Sequence, residues 1–408
     1  MVDLLIKNIG VLATPEGFGP KKGEEHGQIR SIKDAAIGIS GNSITYVGKC
    51  KDAPRAGEEI DAEARLVTPG LVDAHTHLVF GGFRQHELKA KLAGAGYLDI
   101  LKAGGGILST VEATRNSTFE ELCMKAGGFL DSMLCHGTTT AEAKSGYGLD
   151  LTTEMLQLKV VSQLQKEHPM DLVSTFMGAH TVPKEYKDNP EGYVSLLMEK
   201  IIPAVFEAKA AEFCDIFCEK GVFDIEASGR ILQRAKEYGF GLKLHGDEVN
   251  PMGGALLAAE LGCISAEHLI EAEDKGLKAM VKKGVIAVLL PGTSFYLNKG
   301  FARAKDMVKM GLAVALGSDF NPGSNPCYNM QFVLTLACLK MGLSPEEALT
   351  AATLNAAAAI RRAGSKGSIE VGKDADIVIW DCPDLDFLFY RYGNNQVHQV
   401  IKNGRLVK

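Results

Sequence analysis

Hydrophobic and polar positions alternate on two scales along this chain. Near both ends the apolar segments are short and broken by polar turns: "DLLIKNIGVLAT" (3–14), "AAIGISGNSITYVG" (35–48), "GKDADIVIWD" (372–381) and "HQVIKNGRLVK" (398–408). These read as strands, the second divided at Gly41–Asn42 by a turn signal. In between, eight apolar runs end in polar or glycine-rich loops: "LVTPGLVDAHTH" (66–77), "TTTAEAKSGYG" (138–148), "LVSTFMGAH" (172–180), "AEFCDIFCE" (211–219), "GLKLHGDE" (241–248), "CISAEHL" (263–269), "VIAVLLPG" (285–292) and "LAVALGSDFNPG" (312–323). Stretches of helical length separate them, and capping boxes at Ser117/Glu120 and Ser344/Glu347, the latter with Pro345 at the first helical position, mark two helix starts. Near-continuous apolar strands alternating with helices predict a parallel sheet, and eight such units predict an α/β fold of the TIM-like (β/α)8 barrel type. The terminal strands predict a small β-sandwich-like domain. The expected division is 1–65 and 366–408 for that domain and 66–365 for the barrel. No low-complexity segment or solenoid repeat is evident.

Within the runs, polar residues gather at the C-terminal ends: His75 and His77 on the first, His180 on the third, His245 and Glu248 on the fifth, His268 on the sixth and Asp319 on the eighth. In a barrel these ends meet on one face, where active sites lie. One histidine at a strand end is more simply structural; five at such ends are not easily so explained. His75 and His77 are two apart, so both point to one side of their strand, and that side is expected to be the interior. With His245 and Asp319 they form a set of three nitrogens and one carboxylate, which suits Zn²⁺ with an open position and is compatible with Fe²⁺. His26, His136, His168 and His398 fall at turns or helix ends and receive no function, and His86 lies just beyond the rim.

Bulk properties narrow the partners. A net charge of −6 disfavours nucleic acid and acidic membrane, so an acidic substrate would need a local cation. No apolar stretch approaches the ~20 residues of a membrane span, and "MVDLLIKNIG" lacks a signal-peptide layout. The nine cysteines are scattered; Cys214 and Cys218, the closest pair, have three residues between them on a strand-like segment, which is not a redox motif, and buried reduced thiols of a cytoplasmic protein are expected.

The pattern His-x-His, His, His, Asp over residues 66–365 resembles the amidohydrolase superfamily. "VFGGFRQHE" (79–87), "AKSGYGLD" (143–150), "FMGAHTVP" (176–183), "LHGDE" (244–248), "AEHL" (266–269) and "GSDFNPG" (317–323) are similar to its imidazolonepropionase family, and the likeness extends to the terminal β-domain. The resemblance implies hydrolysis of the ring amide of 4-imidazolone-5-propanoate to N-formimidoyl-L-glutamate in histidine degradation. It implies one divalent metal, zinc ahead of iron, on His75, His77, His245 and Asp319. Binuclear relatives carry a bridging lysine on the fourth strand; here Glu219 takes that rim and Lys220 follows it, while Lys144 reads as a structural cation under the "SGYG" loop. The catalytic residues implied are Asp319, which also takes a proton from water, His268, which orients water or carbonyl oxygen, and Glu248, which passes a proton to a ring nitrogen. Substrate contacts implied are Arg84, Tyr147, His180, Glu248, Asn321, Gly323 and Ser324. Arg84 offers a fork for the propionate, and Gly81 and Gly82 are expected to supply unusual backbone angles that bring it over the mouth. Competing readings make Arg84 a surface ion pair with Glu87 and Tyr147 a packed loop anchor. Gly104–Gly106 lack the lysine of a phosphate loop and read as a bend. A homodimer is implied by the family. The rival functions are a hydantoinase-like or cytosine deaminase-like hydrolase of the same superfamily and, from another class, a non-catalytic ligand-binding barrel; the carboxylate fork disfavours the deaminase, and four convergent ligands disfavour the scaffold.

Overall fold

The computed structural model describes residues 1–94 and 105–408, so Gly104 lies outside the described residues. One sheet comes from the two chain ends. Its strands are β1 (Val2–Pro15), β2 (Ile29–Ser40), β3 (Ser43–Lys49), β4 (Ala56–Asp61), β5 (Leu66–Pro69), β14 (Ile377–Trp380), β15 (Val397–Lys402) and β16 (Arg405–Leu406), in the order β16-β15-β14-β5-β1-β2-β3 with β4 on β1. The turn expected at Gly41–Asn42 closes the β2–β3 hairpin, pairing Ser40 with Ser43. Strand alternation turns Leu4, Ile37, Ile39, Ile377, Ile379 and Ile401 into one shared apolar layer.

The second sheet is the barrel, with β6 (Leu71–Asp73), β7 (Thr138–Lys144), β8 (Asp171–Ala179), β9 (Phe213–Cys218), β10 (Gly241–Gly246), β11 (Ser265–His268), β12 (Ile286–Leu289) and β13 (Val314–Leu316) running in sequence order. Each neighbouring pair is parallel. Closure comes from the residues just past β6 and β13: Thr76 bridges Phe320 in parallel, the Asp319 amide donates to the His75 carbonyl at 2.9 Å, and the His77 amide donates to the Phe320 carbonyl at 2.9 Å. Asp73 adds to the seam by accepting from the Ser318 amide at 2.8 Å and the Ser318 hydroxyl at 2.5 Å. The chain segments that carry His75, His77 and Asp319 are therefore the ones that close the ring.

Four local expectations are corrected. The first apolar run is two strands: β5 pairs with β1 and β14 in the terminal sheet, and only β6 enters the barrel. The first capping box uses Thr118 and Glu121, one residue on from Ser117 and Glu120, because the Ser117 hydroxyl is spent on the Ala113 carbonyl at 2.8 Å; the Ser344/Glu347 box forms as expected. Gly81 is required for space rather than for an unusual angle: a Cβ there would sit 2.3 Å from the Ala113 carbonyl oxygen of the helix Ile107–Arg115. Among the cysteines, all free, Cys214, Cys218, Cys263 and Cys382 are buried but Cys135 is exposed. No helix among the described residues is long and apolar enough to cross a membrane.

Candidate active site

Three of the eight strand ends, those of β6, β10 and β11, bring four imidazoles together. Ring centroids of His75 and His245 are 4.5 Å apart, those of His75 and His77 5.3 Å, and those of His245 and His268 5.2 Å. Asp319 joins them from the closing seam, its Oδ1 3.4 Å from His75 Nε2 and 3.6 Å from His77 Nε2. Two three-residue sets, His75/His77/Asp319 and His75/His245/His268, each have donor atoms within 4.8 Å of one another. His268 thus lies in the same cluster as the expected ligands.

Carboxylates behind the ring fix which nitrogen faces the centre. His245 Nδ1 is 3.1 Å from Asp215, and His75 Nδ1 is 2.5 Å from Glu267 Oε2. A carboxylate only accepts, so each Nδ1 carries a proton and each Nε2 is the nitrogen turned toward the centre. Both Nε2 atoms are buried without a hydrogen-bond partner. Buried polar atoms are rarely left unsatisfied, and this pair of orphans beside a carboxylate fits a cation held by His75, His77, His245 and Asp319. Charge states agree with that fit. Burial and Coulombic repulsion from His180 hold His77 neutral, far below its ordinary range. Asp319 is held to about 2, because the neighbouring imidazoles and the Thr293 hydroxyl outweigh the burial that opposes its charge. For His75, burial opposes charge but Glu267 prevails and lifts it to about 9, so a cation arriving at its Nε2 would displace a proton.

The rim residues are held in costly conformations. Asp247, His268, Leu269 and Asp319 all have positive φ, between 51° and 69°. A non-glycine residue there costs of order 1–3 kcal/mol, and such residues collect at functional sites. Asp247 is compensated by accepting from the amides of Met252, Gly253, Gly254 and Ala255. Glu219, on the rim of β9, accepts from the amides of Val249 and Asn250 and the Asn250 side chain, and so holds the loop bearing Glu248. Glu248 is 15% exposed and its Oε2 is 3.6 Å from His268 Nε2. Burial, reinforced by Asp319, raises Glu248 to about 7, while burial drops His268 to about 4.

On the other side of the cluster His180 stacks on His77 at 4.8 Å and 17°, and Tyr147 lies 5.3 Å from His180 and 5.9 Å from His77. Both rings are therefore at the site, and Tyr147 is also a buried anchor against Phe80. Arg84 does contact Glu87, at 3.3 Å through Nε, but its guanidinium end lies over Gly323. A Cβ on Gly323 would sit 1.9 Å from Arg84 Nη2, so glycine is what admits the arginine. Glu87 itself is buried, accepts from the Gly106 amide at 2.6 Å and pairs with Lys91 at 3.1 Å. Asn321 is spent inside its own loop: its amide donates to the Asp319 carbonyl and the Ser324 hydroxyl and accepts from the Gly323 and Ser324 amides.

Several residues at this site have no counterpart in the sequence reading. Thr293 donates to Asp319 Oδ2 at 2.5 Å. Asp215, Glu267, Glu142 and Lys243 lie fully buried beneath the imidazoles with Lys144. The available signal was charge inside apolar strand runs, with Glu142 and Lys144 two apart, and Lys243 and His245 two apart. A surface groove of about 710 Å³ lined by Met198, Arg230, Arg234 and Leu261 lies elsewhere, and none of these site side chains lines it.

Comparison with known proteins agrees with the site. The Amidohydrolase family model matches residues 223–407. The chain is 51% identical to the imidazolonepropionase of Alkaliphilus metalliredigens, covering 100% of this chain and 98% of that protein, and 51% identical to that of Bacillus cytotoxicus, covering 100% and 97%. In structure it is similar to an adenosine deaminase from Xanthomonas campestris with bound zinc, with a TM-score of 0.72, 20% identity and coverage of 99% and 92%. That last likeness concerns the fold, a closed parallel barrel with a companion sheet. Full-length identity at this level places the chain in the imidazolonepropionase family of amidohydrolases.

Proposed function

We propose that the protein hydrolyses the ring amide of 4-imidazolone-5-propanoate to N-formimidoyl-L-glutamate, as a step of histidine degradation. The observation that carries this reading is the juxtaposition at one barrel mouth of orphaned imidazole nitrogens and an arginine seated on Gly323, in a chain half identical to imidazolonepropionases throughout. A divalent cation on His75, His77, His245 and Asp319, zinc ahead of iron, would supply Lewis acidity and water with a pKa near ~7.

The chain's own groups do the rest. Arg84 binds the propionate, with Tyr147 and the loop of Asn321, Gly323 and Ser324 closing the carboxylate side. His180, neutral because burial holds it near 3, lies against the ring. Asp319 stays ionised and accepts the proton of the attacking water. His268 orients the water and carbonyl oxygen and donates to the charge that develops there. As the C–N bond breaks, Glu248 gives its proton to the departing ring nitrogen, a task that suits a carboxyl near pH 7. Water oxygen ends in the new carboxylate, and the nitrogen remains on the formimidoyl group.

The barrel within 66–365 is the catalytic unit in this reading, with 1–65 and 366–408 as its companion. A homodimer and a cytoplasmic location accompany the proposal on family grounds. The test is hydrolysis in ¹⁸O-labelled water followed by mass spectrometry. One label in the new carboxylate of formimidoylglutamate supports the proposal, and absence of that product overturns it.

A further inference from the structure

We propose that Lys144 is a positioning residue for the metal centre: its ammonium takes the place of a second cation beneath His75 and His245 and holds the two carboxylates that aim those imidazoles. The inference rests on the metal assignment above. Lys144 Nζ lies 2.6 Å from Asp215, 2.9 Å from Glu142 and 3.0 Å from Glu267, and none of these side chains is exposed at all. The surrounding donors, His75/Glu142/Glu267 and Asp215/His245/Glu267, are sets that themselves could hold a metal ion. The lysine sits among them, so the acidic layer is filled by the chain.

The connection to the centre is direct. Asp215 carries His245 on its other side, and Glu267 carries His75 through the same Oε2 that faces Lys144. Those contacts set the tautomers and ring planes of two of the four proposed ligands. Lys243 completes the layer by pairing with Glu142 at 2.9 Å and Glu267 at 3.4 Å, and Thr175 donates to Glu142 at 2.5 Å. Three carboxylates thus face two ammoniums and two imidazoles. Without Lys144, Asp215 would have no cationic side-chain partner but His245 among the described residues, and Glu267 would keep Lys243 but lose the ammonium on the oxygen that faces His75.

Removing one charge from a buried network can unfold a protein, so the test uses a balanced pair. Glu142→Gln with Lys144→Met removes one charge of each sign and leaves the layer's net charge unchanged. Cobalt-reconstituted protein is compared with wild type by chelator competition and by its visible spectrum, and thermal unfolding of the metal-free protein reports the fold. The expected result is a folded variant with cobalt affinity weaker by about 10–100-fold and an altered ligand-field spectrum. A folded variant with wild-type affinity and spectrum overturns the proposal. If the pair does not fold, Asp215→Asn decides by the same two readouts, since it weakens the bridge from Lys144 to His245 while Lys144 keeps Glu142 and Glu267. Wild-type protein that holds no cobalt would instead overturn the metal assignment, and this inference with it.

Discussion

Two clusters of charged and polar side chains lie at opposite ends of the barrel, and they are built on opposite rules. At the N-terminal end, Asp171 starts β8 and meets Lys366 from the loop before β14 and Lys402 from β15. Lys366 reaches Asp171 at 2.5 Å and Asp374 and Asp376 at 3.0 Å each, and Lys402 reaches Asp376 at 2.7 Å. Every charge in that joint is answered by an opposite one. At the C-terminal mouth the imidazoles of His75 and His245 have one nitrogen answered and one left open, and strained backbone carries the groups around them. Matched charges join two parts of a molecule; unmatched ones await a ligand. The contrast separates stability from chemistry within one fold.

The sharpest way to break the contrast is to remove a mouth ligand. Asp319→Ala should lose bound metal and all activity above background, by elemental mass spectrometry and turnover on the same sample, with little change in the unfolding of the metal-free protein. His268→Ala and Glu248→Gln come next: each should keep the metal and lose about 10²–10³-fold in kcat. If either loses the metal, that residue is a ligand. Arg84→Met should raise KM about 10²-fold, as expected when a charged hydrogen bond of ~3 kcal/mol is removed, with metal content unchanged. A carboxylate-free analogue should be turned over equally by variant and wild type.

At the other end the sign reverses. Lys402→Met leaves Asp171 and Asp376 one partner short in a nearly closed site and should cost about 3 kcal/mol of stability, read by denaturant unfolding, with kcat and KM unchanged. The smallest effect is on pH dependence. Burial and Asp319 raise Glu248 to about 7, and as a proton donor it works only while protonated. The pH profile of kcat/KM should therefore fall as pH rises through a pKa at or below about 7, because a bound cation would pull the value down. Glu248→Gln should remove that limb.

Which parts could be read in advance follows from where the information resides. The eight-stranded ring was legible because each strand lies in a largely apolar run, and the mouth because His75, His77, His245, His268 and Asp319 each stand at the end of such a run. The division of residues 66–77 between two sheets was not, since nothing in "LVTPGLVD" says that β5 finds its partners among residues from the far end of the chain. The acidic layer under the imidazoles was equally hidden. Glu142, Asp215 and Glu267 are single charges on three strands, and their meaning depends on which strands stand side by side. The glycine before Arg84 shows the same limit: its presence was visible, but the helix it must clear was not.

The central claim is that the mouth acts on an imidazolone bearing a carboxylate arm. Ultraviolet monitoring of freshly generated 4-imidazolone-5-propanoate, with metal-loaded and chelator-stripped enzyme, tests it most directly when hydantoin, dihydroorotate and cytosine are run beside it. The account predicts rapid loss of the imidazolone absorbance with the loaded enzyme only, and no comparable turnover of the other three. Turnover of hydantoin, dihydroorotate or cytosine in preference to the imidazolone, or equal activity after the metal is stripped, would contradict it.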